Sequence, residues 1–275
     1  MGTALVCCCL LLSLWITSRV HPAAASRDTS DVMLVPHRDR ATLAVATPLA
    51  ACETRLERES RRVPTVAIVG ASYTAGVGPD NPELSWAIRL AEDLHWNAVI
   101  DGVPGAGYVR RGDGERGPMA RLLRQEDLRG LRPALVIVQA GHDDDGVPAA
   151  VERARVRATV DLIESQTPGA QIALLTTFAE SADGTPALRE TDRAIVTAGV
   201  AADNGIIVID PLARHWEYAR AHGGLHPTAA GDAWIARSVE AVLGAHGLRP
   251  AAATARGPVI CDLAVSVKTP QAKTA

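Results

Sequence analysis

Five short runs of Val, Ile, Leu and Ala punctuate the middle of this chain, and their form narrows the fold more than any other feature. They read TVAIVG (65–70), NAVIDG (97–102), ALVIVQAG (134–141), QIALLTT (171–177) and GIIVID (205–210). Most are continuously apolar rather than alternating, which is the pattern of a strand covered on both faces. Between them lie amphipathic stretches at helical spacing. ELSWAIRLAEDL places Leu84, Ile88, Ala91 and Leu94 on one face, and TAAGDAWIARSVEAVLGAHG does the same with Ile235, Val239 and Val242. VPAAVERARVRATVDLIES and ALRETDRAIVTAGVAADN follow the same logic. Strands that alternate with helices specify an α/β fold, a doubly wound parallel five-stranded sheet in three α/β/α layers. One domain is expected, over residues 63–248. Aromatic residues make up only 3% of the chain, so its core must be built from small aliphatic side chains.

The ends read differently. Residues 4–16, ALVCCCLLLSLWI, are apolar but short for a membrane span, and Ala23-Ala24-Ala25 comes next as an A-x-A cleavage site. A second export signal competes with the first. From Met33, a basic segment and a short apolar stretch end in Leu49-Ala50-Ala51-Cys52, which resembles a bacterial lipobox with Cys52 as the lipidated residue. Residues 1–62 are therefore expected to be an export signal and a charged tether, with cleavage after Ala25 and membrane anchoring through Cys52 as alternatives. Either route leads to an oxidising compartment, where Cys52 and Cys261 are able to pair. Residues 249–275 lose periodicity and read as a poorly ordered tail. A formal net charge of −3 gives no reason to expect nucleic acid as a partner.

In open parallel sheets, ligands collect beyond the carboxyl ends of the strands. The segments at those ends are chemically suggestive here. Gly70-Ala71-Ser72-Tyr73-Thr74 succeeds the first strand, DGVPGAGY with Gly105 and Gly107 the second, and GHDDDG the third. His226-Pro227 precedes the last helix. A serine in such a turn is ordinarily a turn or helix cap, but a histidine on the same rim would make it a nucleophile. The glycine-rich GVPGAG lacks the spacing and downstream acid of a dinucleotide fingerprint, and the histidines show no metal-ligand spacing.

The order of these blocks resembles the SGNH (GDSL-type) hydrolases, and SYTAG, GAGYV and LHPTAAG look like secreted actinobacterial members. Gly70-Ala71-Ser72 with Thr74 and Gly76 matches the first block, Gly105 the second, Gly141-His142-Asp143-Asp144 the third and Gly223-Gly224-Leu225-His226-Pro227 the last. The resemblance implies a flavodoxin-like fold and a serine esterase or lipase, with Ser72 as nucleophile and His226 as base. The Ser72 and Gly105 amides and residue 143 would form the oxyanion hole. No metal or organic cofactor is implied, and the substrate would be a small-molecule, glycan or lipid acyl ester.

Two departures qualify that picture. The family's oxyanion Asn is Asp143 here, and an ionised carboxylate only accepts hydrogen bonds. The family's triad Asp is Gly223. Backbone carbonyls, or Glu217, Asp203 or His222, are candidates to orient His226, and a protonated Asp143 would donate as Asn does. The competing expectation is a catalytically weak or inactive member that binds a cell-envelope glycan or lipid. Asp144 is expected to brace loops rather than to react.

Overall fold

The computed structural model describes residues 48–263, apart from 80–81, 182–183 and 203–204. The apolar run at 4–16, Ala23–Ala25, Met33 and Asp203 lie outside the described residues.

The five apolar runs form strands β1 (Thr65–Gly70), β2 (Asn97–Gly102), β3 (Leu135–Gln139), β4 (Gln171–Leu175) and β5 (Ile207–Ile209). All pair in parallel, and β1 sits between β2 and β3. Alternation along each strand then feeds two cores. Val66 and Ile68 face helices α2 (Trp86–Leu94) and α7 (Ala229–Ala245), packing with Trp86, Leu90, Ile235 and Val239. Ala67 and Val69 face the other layer, with Met119 and Leu122 of α3 (Met119–Gln125) and Val156 and Val160 of α5 (Ala149–Gln166). That layer also holds α1 (Pro48–Glu59), α4 (Leu128–Leu131) and α6 (Pro186–Ala202). Since both faces are covered, no strand could alternate polar and apolar residues without burying the polar ones. The architecture is the expected three-layer α/β/α fold.

The sheet is larger than expected. Its order is β5-β4-β3-β1-β2-β6, with a sixth strand, β6 (Ile260–Asp262), parallel to β2. The segment expected to be a poorly ordered tail is thus part of the domain through residue 263. Hydrogen bonds carry it there: Ala251 N–H donates to Leu94 O (2.8 Å), and Trp96 Nε1 donates to Arg249 O (3.1 Å). Val259 N–H donates to Asn97 Oδ1 (2.9 Å). The expected charged tether is also corrected. Residues 48–59 form α1, whose Leu56 is fully buried. Cys52 of α1 and Cys261 of β6 form a disulfide, joining the two segments that lie outside the expected boundaries of 63 and 248. A sulfur already bonded to sulfur cannot also carry a thioether-linked lipid, so anchoring through Cys52 does not fit this structure. Among the described residues, no helix is long and apolar enough to cross a membrane.

The winding reverses between β1 and β3, which places a crevice at the carboxyl end of β1. Ser72 stands there.

Candidate active site

The turn after β1 is built around an absent side chain. A Cβ on Gly70 would lie 2.1 Å from Thr74 Oγ1 and 2.9 Å from Gln139 Oε1. With only hydrogen there, Gln139 at the end of β3 reaches into the turn. Its Oε1 accepts from Ala71 N–H (3.1 Å) and from the Thr74 hydroxyl (3.0 Å). Ala75 N–H then donates to Ala71 O (3.0 Å) and Val77 N–H to Ser72 O (3.0 Å), closing the turn. Ser72 emerges 9% exposed at the rim. Among the described residues its own amide makes no hydrogen bond, nor does that of Gly105 in the neighbouring loop. The Ser72 amide, free beside its own hydroxyl, suits a developing oxyanion, and the Gly105 amide is a second unused donor in the loop after β2. The loop after β2 is pressed against this turn, because Gly102 has no room for a Cβ beside Ala75 N (2.2 Å).

His226 meets the serine directly, with Nε2 2.9 Å from Ser72 Oγ. The structure thus brings together the expected nucleophile and base, which are 154 residues apart in the chain. Packing and backbone bonds hold the ring. A Cβ on Gly78, at φ +122°, would lie 2.4 Å from Pro227 O and 2.9 Å from His226 Cβ. Tyr73 supports the ring from another side, its centroid 5.5 Å from that of His226. The Tyr73 hydroxyl donates to Leu225 O, one residue before the histidine, and is 2.9 Å from the Tyr218 hydroxyl. Phe178 stacks on Tyr73 at 4.2 Å. His226 O accepts from Ala221 N–H (2.8 Å).

Burial, and then the nearby His142, hold the His226 pKa below its ordinary 6.5. The imidazole is therefore neutral, and able to accept a proton, into the mildly acidic range. Its Nδ1 makes no hydrogen bond among the described residues. Gly223, where the family's acid would stand, has φ +102° and open space around its Cβ position. Glu217 and His222 are exposed and make no hydrogen bond to His226. Of the candidate orienting groups, neither of these reaches it.

The loop after β3 starts at Gly141, φ +126°, where a Cβ would meet Ile195 Cδ1 at 2.6 Å. A 3-10 turn comes next, over His142–Asp144. His142 Nδ1 lies 3.0 Å from Phe178 O, so it carries the proton there. Asp143 is half-buried, and its Oδ2 is buried without a hydrogen-bond partner. Burial raises its pKa above the ordinary 3.8, against the opposing effect of His142. Asp144 turns away and accepts amide hydrogen bonds from residues 108–110, the bracing role expected of it. Gln139 and Gly78 lie outside every motif, and Tyr73 and His142 fill unspecified positions inside theirs. Only their through-space contacts mark them as part of the site. Among the described residues, no cluster of three or more His, Cys, Asp or Glu could hold a metal ion.

Known proteins share this fold. Similar solved structures include a carbohydrate esterase family 2 enzyme plus carbohydrate binding domain from Corynascus thermopiles (Myceliophthora fergusii), at 18% identity and TM-score 0.56, covering 67% of each chain. The salicylyl-acyltransferase SsfX3 from a tetracycline biosynthetic pathway matches at 19% identity and TM-score 0.54, over 68% of this chain and 56% of its own. The aryl esterase of M. smegmatis matches at 14% identity and TM-score 0.53, over 67% and 99%. At these identities the likeness is one of fold. No curated protein matches the sequence. The family model of the GDSL-like lipases and acylhydrolases matches residues 68–234, from the middle of β1 into α7 and across every loop of the site. The chain belongs to the GDSL-like lipase/acylhydrolase family.

Proposed function

We propose that this protein is an exported serine hydrolase that cleaves carboxylic esters of small acyl groups through a Ser72–His226 acyl-enzyme. The observation that carries the reading is the 2.9 Å contact between Ser72 Oγ and His226 Nε2, together with Ser72 and Gly105 amides that make no hydrogen bond among the described residues. His226 takes the Ser72 proton as Oγ attacks the carbonyl carbon. The Ser72 and Gly105 amides receive the oxyanion, and the imidazolium returns its proton to the departing alkoxide. Water repeats the sequence to release the acid. A sugar hydroxyl taking the place of water would make the same intermediate an acyl donor.

Asp143 enters as a third donor in its neutral form, which its burial favours. A cleft of about 610 Å³ lies against Gly105, lined also by Val109, Arg110, Val147 and Val151. Carbohydrate esterases among the proteins of like fold make an acylated sugar the first alcohol half to try. The Cys52–Cys261 disulfide supports export, because such bonds persist in oxidising compartments.

One observation favours a second reading. Among the described residues, no carboxylate hydrogen-bonds to His226 Nδ1, as in a catalytically weak glycan- or lipid-binding member. Fluorophosphonate labelling and short-chain p-nitrophenyl ester hydrolysis separate the two, with Ser72→Ala and His226→Ala as controls. Labelling and turnover lost in both variants support the hydrolase. Folded wild type that neither labels nor turns over on several acyl lengths supports binding.

A further inference from the structure

The acyl-enzyme mechanism makes no use of two buried carboxyl groups that stand behind the Gly105 loop. Asp144 is fully buried, and both its oxygens are taken up by the backbone of that loop. Oδ2 accepts from Tyr108 N–H at 2.6 Å, Oδ1 accepts from Arg110 N–H at 2.9 Å, and Val109 N–H lies between them at 3.3 and 3.4 Å. Gly107 lets the loop come this close, since a Cβ there would sit 2.1 Å from Oδ2. Glu152, in the first turn of α5, is also fully buried. Both of its carboxyl oxygens are buried without a hydrogen-bond partner, and burial, then the charge of the nearby Asp144, push its pKa to about 9. The proton belongs on Glu152; burial raises the Asp144 pKa as well, but the three backbone N–H donors oppose that and favour its charged form.

The grip on residues 108–110 extends to Gly105 through the loop's own bonds. Gly107 N–H donates to Arg110 O (3.0 Å), Ala106 N–H to Val103 O (3.1 Å) and Asp113 N–H to Pro104 O (2.8 Å). An isolated bridge pairs Ala106 with Arg111. Residues 103–113 therefore hold Gly105 as one rigid unit.

We propose that Asp144 and Glu152 are a positioning pair: Asp144 locks the loop that aims the Gly105 amide at the oxyanion, and Glu152 supports the Asp144 carboxylate from α5. The proposal rests on the hydrolase reading. Neither group touches the reacting atoms, so their loss should lower kcat more than it raises KM. Errors in aim at an oxyanion donor are felt in the transition state rather than in substrate binding.

The test uses the full chain with Asp144→Asn, Glu152→Leu and Glu152→Gln. It measures kcat and KM on p-nitrophenyl butyrate, thermal stability, and hydrogen exchange over residues 103–113. Asp144→Asn places an amide donor against three amide donors, and should lower kcat by about 10²-fold, the scale of one oxyanion donor, with KM changed less than about threefold. Glu152→Leu should lower kcat by about tenfold, whereas Glu152→Gln, which keeps an N–H toward Asp144, should stay within about threefold of wild type. Exchange of the 108–110 amides should quicken in Asp144→Asn. If Asp144→Asn does not fold, the contrast between the two Glu152 variants decides. The proposal is overturned by equal damage from Glu152→Gln and Glu152→Leu, or by unchanged kcat and exchange in Asp144→Asn. Wild type without turnover would defeat the hydrolase reading, and the exchange measurement would still decide whether this pair holds the loop.

Discussion

The turn that carries Ser72 and the loop that carries His226 meet across 2.9 Å, yet they are held by different means. The serine turn is tied by specific polar bonds: Gln139 holds Ala71 and Thr74, and the turn closes on its own amides. Among the described residues, the histidine ring has no hydrogen-bond partner beyond Ser72. It relies on the close approach of Gly78, the Tyr73 ring, and the Tyr73 hydroxyl on Leu225 O. In the serine proteases, a carboxylate on Nδ1 both orients the ring and stabilises the imidazolium. Packing here supplies the first effect but not the second. On the proposed hydrolase reading, packing alone aims the ring, and the basicity that a carboxylate would add is given up.

The strongest way to break the comparison is to remove either member. Ser72→Ala and His226→Ala should each lower kcat/KM on p-nitrophenyl esters by about 10³-fold or more, and the double variant should fall little further, because the groups act as a unit. Additive losses would mean that the two do not cooperate.

The disulfide tests whether the outer edge of the domain matters to the rim. Cys52→Ala with Cys261→Ala opens a link spanning 209 residues and should cost about 2–5 kcal/mol of stability, read by urea unfolding. Activity of the folded fraction at 25 °C should be unchanged, since the disulfide joins α1 to β6 and touches neither loop of the dyad.

Asp143 sharpens the comparison on the oxyanion side. Its raised pKa extends the range of the donating, neutral form above that of an ordinary carboxyl, and that form declines as pH rises. Asp143→Asn should raise kcat at neutral pH by about tenfold, less than the 10²–10³ of a whole donor, and the gain should shrink as pH falls. A variant no faster than wild type at neutral pH would remove Asp143 from the hole.

Tyr73→Phe removes only the hydroxyl that fixes the Leu225 carbonyl. A loss of about 1–1.5 kcal/mol in stability and a few-fold fall in kcat are expected. A loss of stability without any fall in kcat would show that the aromatic ring alone aims His226.

Stability should also depend on pH through groups remote from the dyad. Burial raises Asp232 to about 7, Glu126 to about 8 and Glu152 to about 9. Between their unfolded and folded values, the native state binds more protons than the unfolded one, so stability falls as pH rises. His226, with its lowered pKa, works in the opposite direction but is a single half-buried group. Urea midpoints should drop from about pH 5 to about pH 9; a flat or rising profile would contradict these protonation states.

Much of this was legible in the sequence, for identifiable reasons. Strands buried on both faces must be continuously apolar, so β1 to β5 stood out, and the residues after them fell on one rim. Ser72, Gly105 and His226 were legible because their blocks come in a fixed order. β6 was not, because three residues, Ile260–Asp262, have no periodicity to read. α1 looked like a tether because its exposed faces are charged, and Leu56 and Cys52 alone hint at its buried side. The partners Gln139, Tyr73 and Gly78 were invisible for a different reason. Gln139 lies 68 residues from Ala71, and Tyr73 lies 152 from Leu225, so only the fold brings these contacts into being.

The proposed hydrolase reading requires that His226 activate Ser72 without a carboxylate partner. Its most direct test is the rate of fluorophosphonate labelling of the full chain as a function of pH, in wild type and in His226→Ala. The account predicts labelling at Ser72 that rises with the deprotonation of one group of pKa below the ordinary histidine value, and that is lost in the variant. Folded wild type that does not label, or a His226→Ala variant that labels as fast, would contradict it.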